Sequence, residues 1–180
     1  MEIRVSQRLV WLAVALVVFG VAMRILPHPA NLAPVGAIAL FGGAVLPKRL
    51  SWWLPLAVML LSDVYLGFYH GIAFTWAAFL LVGVYGMSLR KRSNWFRVPF
   101  GAMGSAVIFF VVSNFGVWAQ GQLYAHTWDG LVQCYTMALP FFRNTFFGDF
   151  VYAWLLFGLY AFAFKLAASQ NKTVSQEIAE

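Results

Sequence analysis

Two carboxylates stand inside long apolar runs of this chain. Asp63 lies in WWLPLAVMLLSDVYLGFYH and Asp149 in FFRNTFFGDFVYAWLLFGLY. A charged side chain at the centre of a bilayer costs about 2.5–3.5 kcal/mol on insertion scales. Such a group faces a bundle interior or a wet cavity, where a partner or a ligand compensates it. The polar residues that accompany the two carboxylates are Arg24, His28, Asn31, Asn114, Arg143 and Asn144, with Trp118 and Tyr152 beside them. Together these types suit the binding of a small polar or aromatic molecule, anionic ones included. The arginine forks pair with two oxygens of a carboxylate or phosphate. Asp63, Asn114 and Asp149 exchange hydrogen bonds, and Trp118 and Tyr152 stack on a ring. The bland reading stands beside this one. Arg24 with Asp63, or Arg143 with Asp149, would also serve as ion pairs that only hold helices together.

Catalysis and metal binding find less support. There is no GxSxG, no HExxH and no phosphate-binding loop, and no spacing supports acid–base work by the two aspartates. The chain is therefore not expected to be an enzyme. His28, His70 and His126 fall in three separate loops with neither HxH nor HxxxH spacing. Cys134 is the single cysteine, which excludes an internal disulfide and a CxxC site. No metal and no cofactor is expected.

The elements that must carry these residues follow from composition. The 180 residues are 62% hydrophobic and only 10% charged. A soluble domain of this size has no core large enough to hide so many apolar side chains, whereas lipid solvates them. The net charge of +6 is no nucleic-acid signal, because the basic residues fall in loops between apolar runs. Six spans are expected, at 9–26, 32–47, 52–70, 72–89, 99–119 and 141–166, in an all-α polytopic membrane protein. The first run follows Arg4 and Arg8 and has the look of a signal peptide, but it is read as a retained helix. Small residues at four-residue spacing, Ala33 with Ala37 and Ala39 with Gly43, allow close packing in the second span. The third and fourth form a tight hairpin about His70 and Gly71. Pro140 is expected to separate a short surface helix, LVQCYTMAL, from the last span.

Basic residues set the orientation. Arg4, Arg8, Lys48, Arg49, Arg90, Lys91, Arg92, Arg97, Lys165 and Lys172 fall on one side of six spans, and Arg24 and Arg143 on the other. The positive-inside rule then makes both termini cytoplasmic. Trp52, Trp53 and Trp95 sit at interface positions. Residues 1–168 form one transmembrane domain, and 169–180 a polar cytoplasmic tail. In this arrangement the polar residues share one layer in the outer third of the membrane. Thr145, Asp149 and Tyr152 share a helix face, as do Asn114 and Trp118, and Asp63, Gly67 and His70.

Four phrases carry a resemblance: RILPHPANLAPVGAIALFGGA, SDVYLGF, FFVVSNFGVWA and GLVQCYTMALPFFRNTFFGDFVYAWLLFG. Together, from about Arg24 to Gly158, they resemble an uncharacterised bacterial family of small integral membrane proteins, classed as a domain of unknown function. More distantly, the chain is similar to the S components of energy-coupling factor (ECF) transporters. That resemblance implies an S-component-like six-helix fold in the bacterial inner membrane, with a substrate pocket facing outward. It also implies the loop from Pro27 to Pro34 as a cap, and a partnership with an energising membrane subunit and its ATPases. The alanines of the first span, Ala13, Ala15 and Ala22, do not form the AxxxA strip such a subunit contacts. The function expected is thus a membrane solute-binding or transport protein of S-component type. The alternative is a structural or assembly subunit of a larger membrane complex.

Overall fold

The computed structural model describes residues 7–90 and 97–177, which form six α-helices and, among these residues, no strand. The helices are α1 (Gln7–Ile25), α2 (Val35–Val45), α3 (Lys48–Leu66), α4 (Ile72–Met87), α5 (Arg97–Ala119) and α6 (Trp128–Glu177). Arg4, Lys91, Arg92 and Trp95 lie outside the described residues.

Among the described residues three stretches are long and apolar enough to cross a membrane: α1, α5 and the part of α6 from Trp128 to Lys165. α4 is a shorter apolar helix, and α2 is shorter still at 11 residues. At 1.5 Å per residue α2 measures about 16 Å, roughly half of a 30 Å hydrocarbon layer. The full crossing expected over 32–47 is not formed as one helix. Prolines limit it at both ends: Pro34 precedes the first turn, and Pro47 starts α3.

This short helix is the centre of the bundle. Every residue from Val35 to Gly43 is buried, and α2 touches all five other helices. Its Ala37, Ala39 and Leu40 pack with Val82 of α4, Val98 and Ala102 of α5 and Ala153 of α6. Its Ile38 and Phe41 pack with Leu16 of α1 and Leu54 of α3. Against α4 the two backbones nearly touch. A Cβ on Gly43 would collide with the Gly83 carbonyl, and one on Gly86 with the Leu40 carbonyl. Glycines permit this approach, which in lipid replaces the hydrophobic drive that water would supply.

Large apolar groups lie on the surface as well as in the core: Trp11, Trp53, Val64, Phe100, Leu123 and Phe162 are among the exposed ones, while Ser51, Ser62, Asp63, Ser105, Thr145 and Asp149 are buried beside the apolar core. An apolar surface with its polar groups turned inward suits a lipid solvent, which cannot satisfy hydrogen-bonding groups.

Two expectations for the last third of the chain are corrected. Pro140 does not end a helix: α6 runs through it without interruption for 50 residues. Proline removes one main-chain hydrogen bond, and packing on α5 on both sides of the break compensates. Tyr135 donates its hydroxyl to the Val111 carbonyl at 2.6 Å, and Phe142 meets Phe110 at 4.9 Å between ring centroids. Nor does the helix stop near Ala168, since it continues to Glu177. Extending an existing helix needs no new nucleus, so the polar sequence there suffices.

Candidate functional site

At the bundle end where α1 and α5 finish and α3 turns into α4, the helices enclose a cavity of about 410 Å³. Its position follows from the short α2. The chain leaves α1, turns and descends along α6 before α2 begins. The turn is closed by the Leu32 N–H to the Pro29 carbonyl at 3.1 Å. Asn31 takes the left-handed conformation there, φ 62°, which asparagine tolerates better than most residues. Asn144 donates from Nδ2 to the Ala30 carbonyl at 3.0 Å, and Leu32 lies against Gly148 one turn further along. The descent leaves open the space above α2, walled by α3 to α6.

Asp149 forms part of the floor. Its Oδ2 accepts from the Ser105 hydroxyl at 2.5 Å, and the Ala37 N–H donates to the same carboxylate. Ala37 is the third residue of α2, the position whose amide a helix-capping side chain normally takes. The residue before α2 is Pro34, which has no such group. Asp149 therefore caps α2 from another helix, where the helix dipole also favours negative charge. Gly36 makes this possible, because a Cβ there would overlap the carboxylate.

The opposite end of α2 is matched by a cation. Arg90 donates from Nε to the Gly43 carbonyl at 2.6 Å, and from Nη2 to the Leu46 carbonyl at 2.6 Å and to Ser51 Oγ at 2.8 Å. The last carbonyls of a buried helix would otherwise lack donors.

Arg24 and Asp63 form an ion pair. Arg24 Nη2 lies 2.7 Å from Asp63 Oδ1. Its Nη1 donates to Ser62 Oγ at 2.7 Å and approaches the Met59 sulfur at 2.9 Å. The Trp76 indole donates to Asp63 Oδ2 at 2.8 Å. Asp63 is wholly buried, while the Arg24 side chain keeps 14% of its surface. The pair thus ties α1, α3 and α4, and only its arginine reaches the cavity.

Of the ten residues expected at a site, the cavity wall contains five: Arg24, His28, Asn31, Asn114 and Asp149. Asp63 stands behind Arg24. Trp118 instead pins the loop after α5, donating from Nε1 to the Ala125 carbonyl at 3.0 Å and meeting the His126 ring at 5.5 Å. Arg143 is exposed, and it is Ser105 and the Ala37 amide that meet Asp149. Asn144 holds the turn at Ala30. Tyr152 packs into the core and against Phe19 at 6.3 Å. The shared face of Asp63, Gly67 and His70 is not formed, because α3 ends at Leu66 and Gly67 has φ 94°.

Several wall residues were absent from the sequence reading. Tyr69 and Thr75, whose hydroxyls bond each other, line the turn side. Phe79, Phe109, Phe110, Phe141 and Phe142 form the aromatic wall. Ser105, Phe109 and Ser113 recur every four residues along α5, a spacing that could have placed Ser105 below the cavity. Among the described residues no group of three or more His, Cys, Asp or Glu converges as a metal site would require.

The family of unknown function designated DUF6580 matches residues 5–173. The chain belongs to that family. No curated protein and no solved structure matches it. For this DUF6580 protein the chemistry has therefore to be read from the cavity itself. Polar groups from α1, the turn, α5 and α6 face aromatic walls around a partly open space.

Proposed function

We propose that this DUF6580 protein is a solute-binding protein of the bacterial cytoplasmic membrane, of the S-component type. In this reading all six helices belong to the membrane domain, both termini are cytoplasmic, and the cavity opens outward. It takes a small molecule with a polar group and an apolar or ring-bearing body. An energising membrane subunit with ATPases would complete a transporter.

The observation that carries this reading is the cavity. Its volume, about 410 Å³, falls in the range of small-molecule sites, roughly 300–1,000 Å³. Structural ion pairs alone would need no such space. The Arg24–Asp63 pair closes on itself, yet the cavity remains above it, floored by Asp149 and walled by five phenylalanines.

Native mass spectrometry of the protein, released from its own membrane, tests this. A retained small molecule is expected, and it should be lost when Ala138, a small residue of the wall, is replaced by Trp to fill the space. A bare chain carrying other polypeptides at fixed ratio would instead support an assembly subunit. Retention unchanged in the Ala138→Trp protein would overturn the cavity assignment.

A further inference from the structure

Four of the cavity's polar side chains have a hydrogen committed to a main-chain carbonyl. Asn114 donates one Nδ2 hydrogen to the Phe110 carbonyl at 2.7 Å, leaving Oδ1 and its second N–H. Ser113 donates to the Phe109 carbonyl at 2.6 Å, and Thr145 to the Phe141 carbonyl at 3.2 Å. A hydroxyl has one hydrogen, so each leaves only lone pairs. The His28 Nδ1–H donates to the Leu26 carbonyl at 2.7 Å, so a neutral ring keeps Nε2 as an acceptor. Asp149 accepts only.

Charge points the same way. Arg24 is neutralised by Asp63, which is fully buried and held a second time by Trp76. Arg143 is not in the wall. Among the described residues no basic side chain pairs with Asp149. A cation in the cavity would be the first full positive charge to meet the Asp149 carboxyl, whose donors are Ser105 and the Ala37 amide. The walls add aromatic faces, with Phe79 and Phe109 stacked at 4.8 Å, and these attract cations.

We propose that the cavity takes an organic cation: a small ammonium on an apolar or aromatic body, donating hydrogen bonds to Asn114, Thr145 and Asp149. This rests on the reading of the cavity as a ligand site, and adds to it the sign of the ligand's charge. An anion would find Arg24 already paired with Asp63 and would share the cavity with the Asp149 carboxylate. A cation meets acceptors, a carboxylate and aromatic faces without breaking any bond.

Three probes with the same ring and two-carbon arm isolate the charge: phenethylammonium, phenylacetate and 2-phenylethanol. Binding to the full chain in lipid nanodiscs is measured by calorimetry at millimolar concentration. Phenethylammonium should bind about tenfold or more tightly than the alcohol, as expected for hydrogen bonds to a charged partner, and phenylacetate should give no heat. Asp149→Asn should abolish the preference for the ammonium. If that variant fails to fold because it caps α2 poorly, Thr145→Val carries the test, with about a tenfold weaker affinity for the ammonium and an unchanged melting temperature. Equal binding of the alcohol, tighter binding of phenylacetate, or no binding of any probe overturns the assignment. A neutral or anionic molecule retained in native mass spectrometry overturns the charge while keeping the ligand site. Probes bound equally by the wild-type and Ala138→Trp proteins overturn both.

Discussion

Asp149 and Arg90 address opposite ends of the same buried helix, the carboxylate at the first turn of α2 and the guanidinium at its last. Each sign matches the helix dipole at its end. Each group also satisfies main-chain atoms that neither water nor lipid could reach. Replacing Arg90 by Met strands the Gly43 carbonyl and leaves the Leu46 carbonyl to the Ser51 hydroxyl alone. The loss should be about 2–4 kcal/mol, since hydrogen bonds to charged groups contribute about 1.5–3 kcal/mol. Asp149→Ala should cost a similar amount. The contacted residues, Ala37 and Gly43 to Leu46, are about 9–14 Å apart along α2, so the double variant should be additive within about 0.5 kcal/mol. Unfolding in mixed micelles measures this, and strong non-additivity would show that the two ends are not independent.

Arg24 and Asp63 should behave as a pair that is costly to halve. Asp63→Ala leaves the guanidinium without its counter-charge, and Arg24→Ala leaves a fully buried carboxylate. Breaking a buried pair costs about 3–5 kcal/mol. Because Arg24 still reaches the cavity, Asp63→Ala should fall at the lower end and Arg24→Ala at the upper. The double change Arg24→Met with Asp63→Leu should recover most of the loss, because an apolar replacement removes both desolvation costs. A double variant as unstable as the worse single one would mean that the pair fixes the helices in a way apolar packing does not reproduce.

The glycines separate into two kinds. Gly43 faces the backbone of α4, where a Cβ would meet the Gly83 carbonyl, and main chain moves less readily than a side-chain tip. Gly43→Ala should therefore cost about 1–3 kcal/mol, the range of core overpacking. Gly158 lies in α6 with nothing within 4 Å of an added Cβ. Gly158→Ala should be neutral or stabilise by about 0.5–1 kcal/mol, because alanine loses less entropy in a helix. Comparing the two melting temperatures checks the assignment, and equal effects would contradict the close α2–α4 approach.

The apolar runs made the helices legible, with five of them starting within about four residues of where hydropathy put them. Arg24, Asn114 and Asp149, far apart in the chain, line one cavity. What local pattern could not supply was partnership across helices. Arg143 lies only six residues from Asp149, which made it the obvious counter-ion. The amide of Ala37, more than a hundred residues away, takes that place. The length of α6 was hidden for a different reason. Pro140 reads as a helix stop, and only contacts with α5 on both sides of it explain why the helix continues.

The six-span reading makes a prediction about sides. Cys134 is buried and is the single cysteine, so Cys134→Ala gives a background without thiols. In it, Phe68→Cys and Leu123→Cys put a thiol on exposed positions at the cavity end, and Ser88→Cys puts one on an exposed position at the other. A membrane-impermeant maleimide added to intact cells should label the first two and leave the third until the membrane is opened. The positive-inside rule sets that direction, because Lys48, Arg49 and Arg90 all lie at the end of Ser88. Labelling of Ser88→Cys alone would place the cavity on the cytoplasmic face. Labelling of Phe68→Cys and Leu123→Cys on opposite sides would mean that the number of crossings between them is odd. That result would rule out α4 and α5 as a returning pair of spans, and with it the six-span arrangement.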